Sequence, residues 1–267
     1  MATQALPAGR TTRYLSLTRE LALTNFKLKY TGSVLGYLWS LMKPALYFGV
    51  LYTIFVHVFR LNQRDFPLEL LVGIVVFTFF AECTSNSLGA ISGNAHLVRK
   101  ALFPLSALVV SQSITALITL SINLSLIVAV AGPLGRLHLG LQSLLALPLL
   151  LELYLLALGL GMLLASLHVF FHDVAHIWEV MTQFMLYGAG VVFPASLIPL
   201  RWRGAFFLNP LAQIVEDMRR ALVTPAAAWT GQLVGWEAAI PIILSVALFG
   251  AGLLCFRRLA PTFAESL

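Results

Sequence analysis

Within "HVFFHDVAHIWE", His168, His172 and His176 recur every four residues, and Asp173 follows the second of them. On one continuous helix this spacing stacks three imidazoles on a single face, as histidines that ligate a transition metal are arranged. The chemistry would be that of a membrane-embedded metalloenzyme. The other histidines, His57, His96 and His138, are scattered singly and supply no second cluster to complete a site. A polar turn joining two apolar segments accounts for the same residues, and no metal is expected.

Glu82 opens a second polar group, "ECTSNSLG", in which Glu82, Ser85, Asn86 and Gly89 fall near one helical face. A carboxylate inside an apolar run is costly in a bilayer and turns toward a pathway or a partner helix. Both roles are open for Glu82. Gln112, Thr115, Thr119 and Asn123 follow at spacings of three, four and four, which aligns them as a packing seam or a hydrophilic conduit. Ala157, Gly161 and Ala165 form a ladder of small residues that lets helix backbones approach. No G-x-x-x-x-G-K-S/T phosphate loop and no G-x-S-x-G nucleophile elbow occurs. The chain therefore holds no ATP by that motif and carries no serine of that kind. It is not expected to be an enzyme.

The elements that position these groups must sit in lipid. Of the 267 residues 59% are hydrophobic and 10% are charged, against about 25% charged in a soluble domain. The predicted class is an all-α integral membrane protein, one transmembrane domain over 1–267. Apolar runs predict six spans, at about 34–59, 68–91, 104–131, 141–169, 178–194 and 238–256. Ahead of them, Tyr14, Leu17, Leu21 and Leu28 recur at helical spacing with Arg19, Glu20 and Lys27 on other faces. That pattern predicts an interfacial helix over 12–32. The opening residues lack the apolar core of a cleavable signal peptide. Cys83 and Cys255 lie inside apolar runs and read as small hydrophobes rather than a disulfide.

The net charge of +6 comes from cations at the ends of apolar runs, where they meet lipid headgroups; nucleic acid is excluded as a partner. Six spans put both termini on one side. With Lys43 left out, nine Lys/Arg fall on that side and seven on the other. The densest cluster, Arg10, Arg13, Arg19, Lys27 and Lys29, adjoins the first span, so the termini are expected in the cytoplasm. Trp39, Tyr47, Phe48, Tyr52 and Phe55 crowd that span. Some sit too deep for an interfacial belt, and they are candidates to line a route for sugar rings; lipid contact is the alternative.

Five stretches carry a family resemblance: "KYTGSVLGYLWSLMKPAL", "NAHLVRKALFPLSALV", "FFHDVAHIWEVMTQF", "FLNPLAQIVEDMRRALV" and "PTFAESL". In this order and spacing the chain resembles an ABC-2 type transporter permease, of the branch that exports O-antigen, teichoic acid, galactan and related polysaccharides. The resemblance implies that two copies form a channel with two ABC ATPase subunits docked on the cytoplasmic side. ATP and magnesium would bind those subunits, and no cofactor this chain. The setting implied is the bacterial cytoplasmic membrane, with membrane lipid as a partner. The substrate implied is a polyprenyl-diphosphate-linked glycan; efflux of a small amphiphile is the alternative within the same fold.

By the same resemblance, the loop 94–104 is a coupling helix for the ATPase, with His96, Arg99, Lys100, Phe103 and Pro104 in contact. His172 and Asp173 form a second contact, His172 standing where relatives carry arginine. Short re-entrant helices over 195–224 would cap the exit side, the second starting at Asn209 and Pro210. Channel candidates are Trp39, Lys43, Tyr47, Phe48, Tyr52, Phe55 and Glu82. Lys43 either snorkels to the cytoplasmic interface or faces an anionic head group. Gly32 and Gly36 would permit the bend from interfacial helix into first span, with Lys27 and Lys29 at headgroup level.

Overall fold

The computed structural model describes residues 10–61, 63–99, 103–138 and 140–267. Helix α1 (Arg10–Tyr30) leads through a turn to α2 (Leu38–Tyr52), which continues as a π-helix over Thr53–Val58. Gly32 and Gly36 occupy that turn at φ +81° and +49°, a backbone region that favours glycine. Next come α3 (Phe66–Ser92), the single turn α4 (Ala95–Val98), α5 (Ser106–Ala131) and α6 (Ala146–Phe170). The chain continues through α7 (Val174–Gly188), α8 (Leu200–Phe207), α9 (Pro210–Leu222) and α10 (Thr230–Val234). It closes with α11 (Ala239–Leu259) and α12 (Phe263–Ser266).

Helix α3 is the centre, with Leu70, Val72, Val76, Phe80 and Cys83 fully enclosed. It packs against α5 and α6, and α6 packs in turn against α11. Small residues set these distances. A Cβ at Gly161 would sit 2.6 Å from Ser87 Oγ of α3, so this rung of the predicted ladder faces α3. The closest crossing uses a pair outside that ladder: Gly159 of α6 lies against the backbone of Phe249, and Gly252 of α11 against the carbonyl of Gly159. Gly159→Val therefore forces α6 and α11 apart. It is expected to cost at least about 1–3 kcal/mol, read as a lower melting point of the detergent-purified protein, whereas Gly250→Ala, with open space around its Cβ position, leaves it unchanged.

Two members of the polar stripe of α5, Thr115 and Asn123, form a packing seam. Thr115 Oγ1 donates to Ser111 O at 2.9 Å and to Ala22 O of α1 at 3.1 Å. Asn123 Nδ2 donates to Thr119 O at 2.9 Å and to Ser40 O of α2 at 3.4 Å. Asn25 Nδ2 of α1 donates to Ser111 Oγ at 3.2 Å. In lipid such groups need internal partners, and these bonds tie α1 and α2 to α5.

Among the described residues five helical segments are long and apolar enough to cross a bilayer: Leu38–Val58, Phe66–Ser92, Ser106–Ala131, Leu141–Phe170 and Thr230–Ser266. The predicted span at 178–194 takes a different form. Its helix, α7, begins earlier and has 15 residues, or about 22 Å at 1.5 Å per residue. Gly190 at φ +63° and Pro194 and Pro199 end helical propagation there. Over 195–224 the chain forms a short 3-10 turn and the two helices α8 and α9.

Candidate functional site: a groove between two anchored ends

A groove of about 630 Å³ runs between α2, α3 and α7. Tyr47 enters it from α2, Thr78 and Ser85 from α3, and Glu179, Thr182 and Gln183 from α7. Trp178 holds the α7 wall in place: its indole Nε1 donates to Thr84 Oγ1 of α3 at 3.1 Å. Tyr47 is 51% exposed, so its ring and hydroxyl stay open to an occupant. The lining offers aromatic faces, hydroxyls, an amide and one carboxylate, groups suited to stacking on and hydrogen-bonding with sugars.

The other candidates on the first span separate by helix face. Phe48, Tyr52 and Phe55 are half-buried against the core, with Phe48 stacked on Tyr52 at 5.5 Å and Phe55 against Phe66 at 5.7 Å. They pack the helix and do not line the groove. Trp39 and Lys43 are exposed and lie outside the groove lining. Glu82 pairs with Lys29 Nζ of α1 at 2.9 Å, so its partner is the adjoining helix. Beside that pair, Asn25, Lys29, Ser85, Asn86 and Gln112 line a second, polar cleft of about 430 Å³. Ser85 belongs to both cavities, so they meet at one face of α3.

Sequence reasoning missed the α7 wall. Glu179, Gln183 and Tyr187 recur every four residues, a polar and aromatic stripe on an apolar helix that could have been found by its period.

At one end of the bundle lie the candidate coupling residues. His96 is exposed on α4, and Phe103 and Pro104 are half-buried beyond it; Lys100 lies outside the described residues. Arg99 Nη2 donates to the main-chain oxygen of Leu267 at 2.7 Å. His172 and Asp173 are exposed in the turn between α6 and α7. The helix breaks at Phe171, with φ −129° and ψ 97°. The metal-face arrangement fails for that reason: His168 is in the last turn of α6, His172 is in the turn, and His176 is in the first turn of α7. The first two rings contact edge-on at 5.5 Å.

At the opposite end, α9 is seated by charge. Asn209 caps it, its Oδ1 accepting from Leu211 N at 3.0 Å with Pro210 in the first turn. Asn209 Nδ2 donates to Gly188 O at 3.2 Å, joining α9 to the end of α7. Arg219 is 2% exposed. Its Nη2 donates to Val191 O at 2.7 Å, its Nη1 to Phe193 O at 3.3 Å, and its Nε to Glu69 O at 3.0 Å. Nη1 also meets Glu216 Oε2 at 3.4 Å. Gly73 leaves room for the guanidinium, since a Cβ there would lie 2.8 Å from Nη2. Arg220 pairs with Glu216, and with Glu69 at 3.7 Å. Asp217 accepts from Thr230 N at 2.9 Å and from Gln213 Nε2 at 2.9 Å, which fastens α10. Arg219 and Arg220 are two of the seven cations that the sequence places on the side opposite the termini; Arg219 is buried and Arg220 half-buried, and both are paired within the bundle.

The chain is a helical membrane bundle with an open groove, and the sequence model of the ABC-2 type transporter family matches residues 17–223. The chain belongs to that family and is a membrane transport subunit rather than an enzyme. It is similar to the O-antigen export system permease protein RfbA of Klebsiella pneumoniae, 26% identical over 250 residues, which are 92% of this chain and 94% of that one. RfbA of Myxococcus xanthus is 26% identical over 257 residues, 96% of each chain. The polysialic acid transport protein KpsM of Escherichia coli is 26% identical over 208 residues, 76% of this chain and 80% of its own.

Proposed function

We propose that this chain is the permease subunit of an ATP-driven exporter that moves a lipid-linked polysaccharide across the bacterial cytoplasmic membrane. The observation that carries this reading is the groove. Helix α2, which crosses the bilayer together with the π-helix that continues it, buries only Ser40 and Pro44, and with α3 and α7 it forms a trough lined by Tyr47, Glu179, Thr182 and Gln183. A membrane helix left this uncovered next to polar side chains needs a facing surface. A second copy of the chain supplies it, and two troughs face to face make a conduit. The names of the relatives, O-antigen and polysialic acid export, support a glycan as the cargo.

The working parts follow from the two ends. Two ABC ATPase subunits, which hold ATP and magnesium, dock at the end formed by α4 and the His172–Asp173 turn. Their closure displaces α4 and changes the width of the conduit. Sugars slide past Tyr47 and Tyr187 because a ring face binds successive residues with little preference, while hydroxyls and amides exchange hydrogen bonds along the way. The glycan arrives on a polyprenyl diphosphate, its charged head first. Both termini lie in the cytoplasm. With Arg219 buried, the outer side keeps six of its seven Lys/Arg against nine inside, which supports that orientation. Depleting the chain is expected to accumulate finished glycan on its carrier at the cytoplasmic face, measured by extracting and sizing lipid-linked glycans. An unchanged pool together with new sensitivity to small amphiphiles would reject glycan export in favour of efflux.

A further inference from the structure

Helix α4 is a single turn of four residues with no side-chain cap, and a helix that short has no stability of its own. What holds it is the far end of the chain. Phe263 of α12 is 0% exposed. Its ring packs against Phe170, the last residue of α6, at 6.1 Å and against Phe256 of α11 at 5.5 Å. The same apolar cluster contains Ile91 from the end of α3 and Val98 from α4, with Leu97, Phe103 and Leu267 packed on it. Arg99, directly after α4, closes the connection by donating to Leu267 O at 2.7 Å.

We propose that the segment 260–267 is a working part of the coupling machinery, and that Phe263 is the positioning residue that makes α4 move together with α6 and α11. The inference rests on the reading of α4 as the surface that an ATPase displaces. The physical reason is stiffness. Packed aromatic rings transmit displacement because close-packed interiors have little slack. Without Phe263 a cavity opens between α4, Phe170 and Phe256, and a push on α4 is absorbed there. Arg99 then has two roles: it presents charge at the docking end and it holds the C-terminal segment down. This assigns a function to "PTFAESL" that its distance in sequence from the coupling loop conceals.

The test compares wild type, Phe263→Ala and Arg99→Ala, each co-expressed with its ATPase subunit and purified into nanodiscs. Hydrogen exchange is followed at the α4 amides, since Leu97 N, Val98 N and Arg99 N all donate within or just ahead of that turn. Phe263→Ala is expected to speed exchange there by about tenfold or more, with α3 and α5 unchanged. The ATPase is retained and still hydrolyses ATP, while glycan export falls by about tenfold. Arg99→Ala, which leaves the aromatic packing in place, is expected to shift α4 in the same direction by less. Unchanged α4 exchange in both variants overturns the proposal, and so does faster exchange with export at the wild-type level. The exchange result does not depend on the cargo. A wild-type complex that moves no glycan, with α4 loosened in Phe263→Ala, would reject the export reading and leave the mechanical link standing.

Discussion

The Arg219→Met variant is expected to unfold on the order of 10 °C below wild type in detergent, from a loss of about 3–5 kcal/mol. Methionine fills much of the volume but donates nothing. Three main-chain oxygens, those of Glu69, Val191 and Phe193, lose their charged donor. Glu216 keeps only Arg220, which it shares with Glu69. Orphaned carbonyls with little water nearby are costly, and the Glu216 carboxylate is left without its second cation. Arg219→Lys is expected to recover only a minor share, because an ammonium on a single stem cannot reach acceptors on three separate segments. The damage should begin locally, with the end of α7 and helices α9 and α10 exchanging hydrogens first while α3 stays protected. Thermal melts with exchange mass spectrometry on the two variants measure both effects. A methionine variant as stable as wild type would show that this network specifies position without adding stability.

The second large effect is expected in the groove. Gln183→Trp places a bulky ring on an exposed position of the α7 wall. Stability should change by no more than about 0.5 kcal/mol, as for surface substitutions away from packing. Export should fall by about tenfold or more, the equivalent of about 1.4 kcal/mol on the barrier, because in the proposed dimer two such rings narrow the conduit. Gln183→Ala, which widens the trough and removes one amide, is the contrasting variant and should cost far less. Carrier-linked glycan in cells expressing each variant at equal membrane level reads this directly. Equal export from the tryptophan and wild-type proteins would place the route elsewhere on the molecule.

The two effects differ in kind. Arg219 acts on whether the end of the bundle holds together, through enclosed polar bonds. Gln183 is expected to act only on what passes, since its side chain lines an open trough. A stability assay finds the first and overlooks the second.

What the sequence determined alone was the physics that depends on composition and period. Scarce charge placed the chain in a membrane, and apolar length located the helices that became α2, α3, α5, α6 and α11, because lipid imposes helical length on any spanning segment. Glycines ahead of the first span marked a turn that the backbone makes at positive φ. The quoted motifs were enough for the family, since five separated stretches in fixed order are hard to match by accident. Proximity between distant segments was decided only in three dimensions. Periodicity places Phe48, Tyr52 and Phe55 near Tyr47 but does not say which helix face meets the core, and only Tyr47 faces the groove. Four-residue spacing joined His168, His172 and His176 until a break at Phe171 divided them between two helices. Arg219 counted in the sequence only as one more cation opposite the termini, and tertiary packing alone supplied its acceptors from positions 69, 191 and 193. Phe263 gained its place beside α4 the same way, because a pairing across more than 150 residues leaves no local signal in the chain.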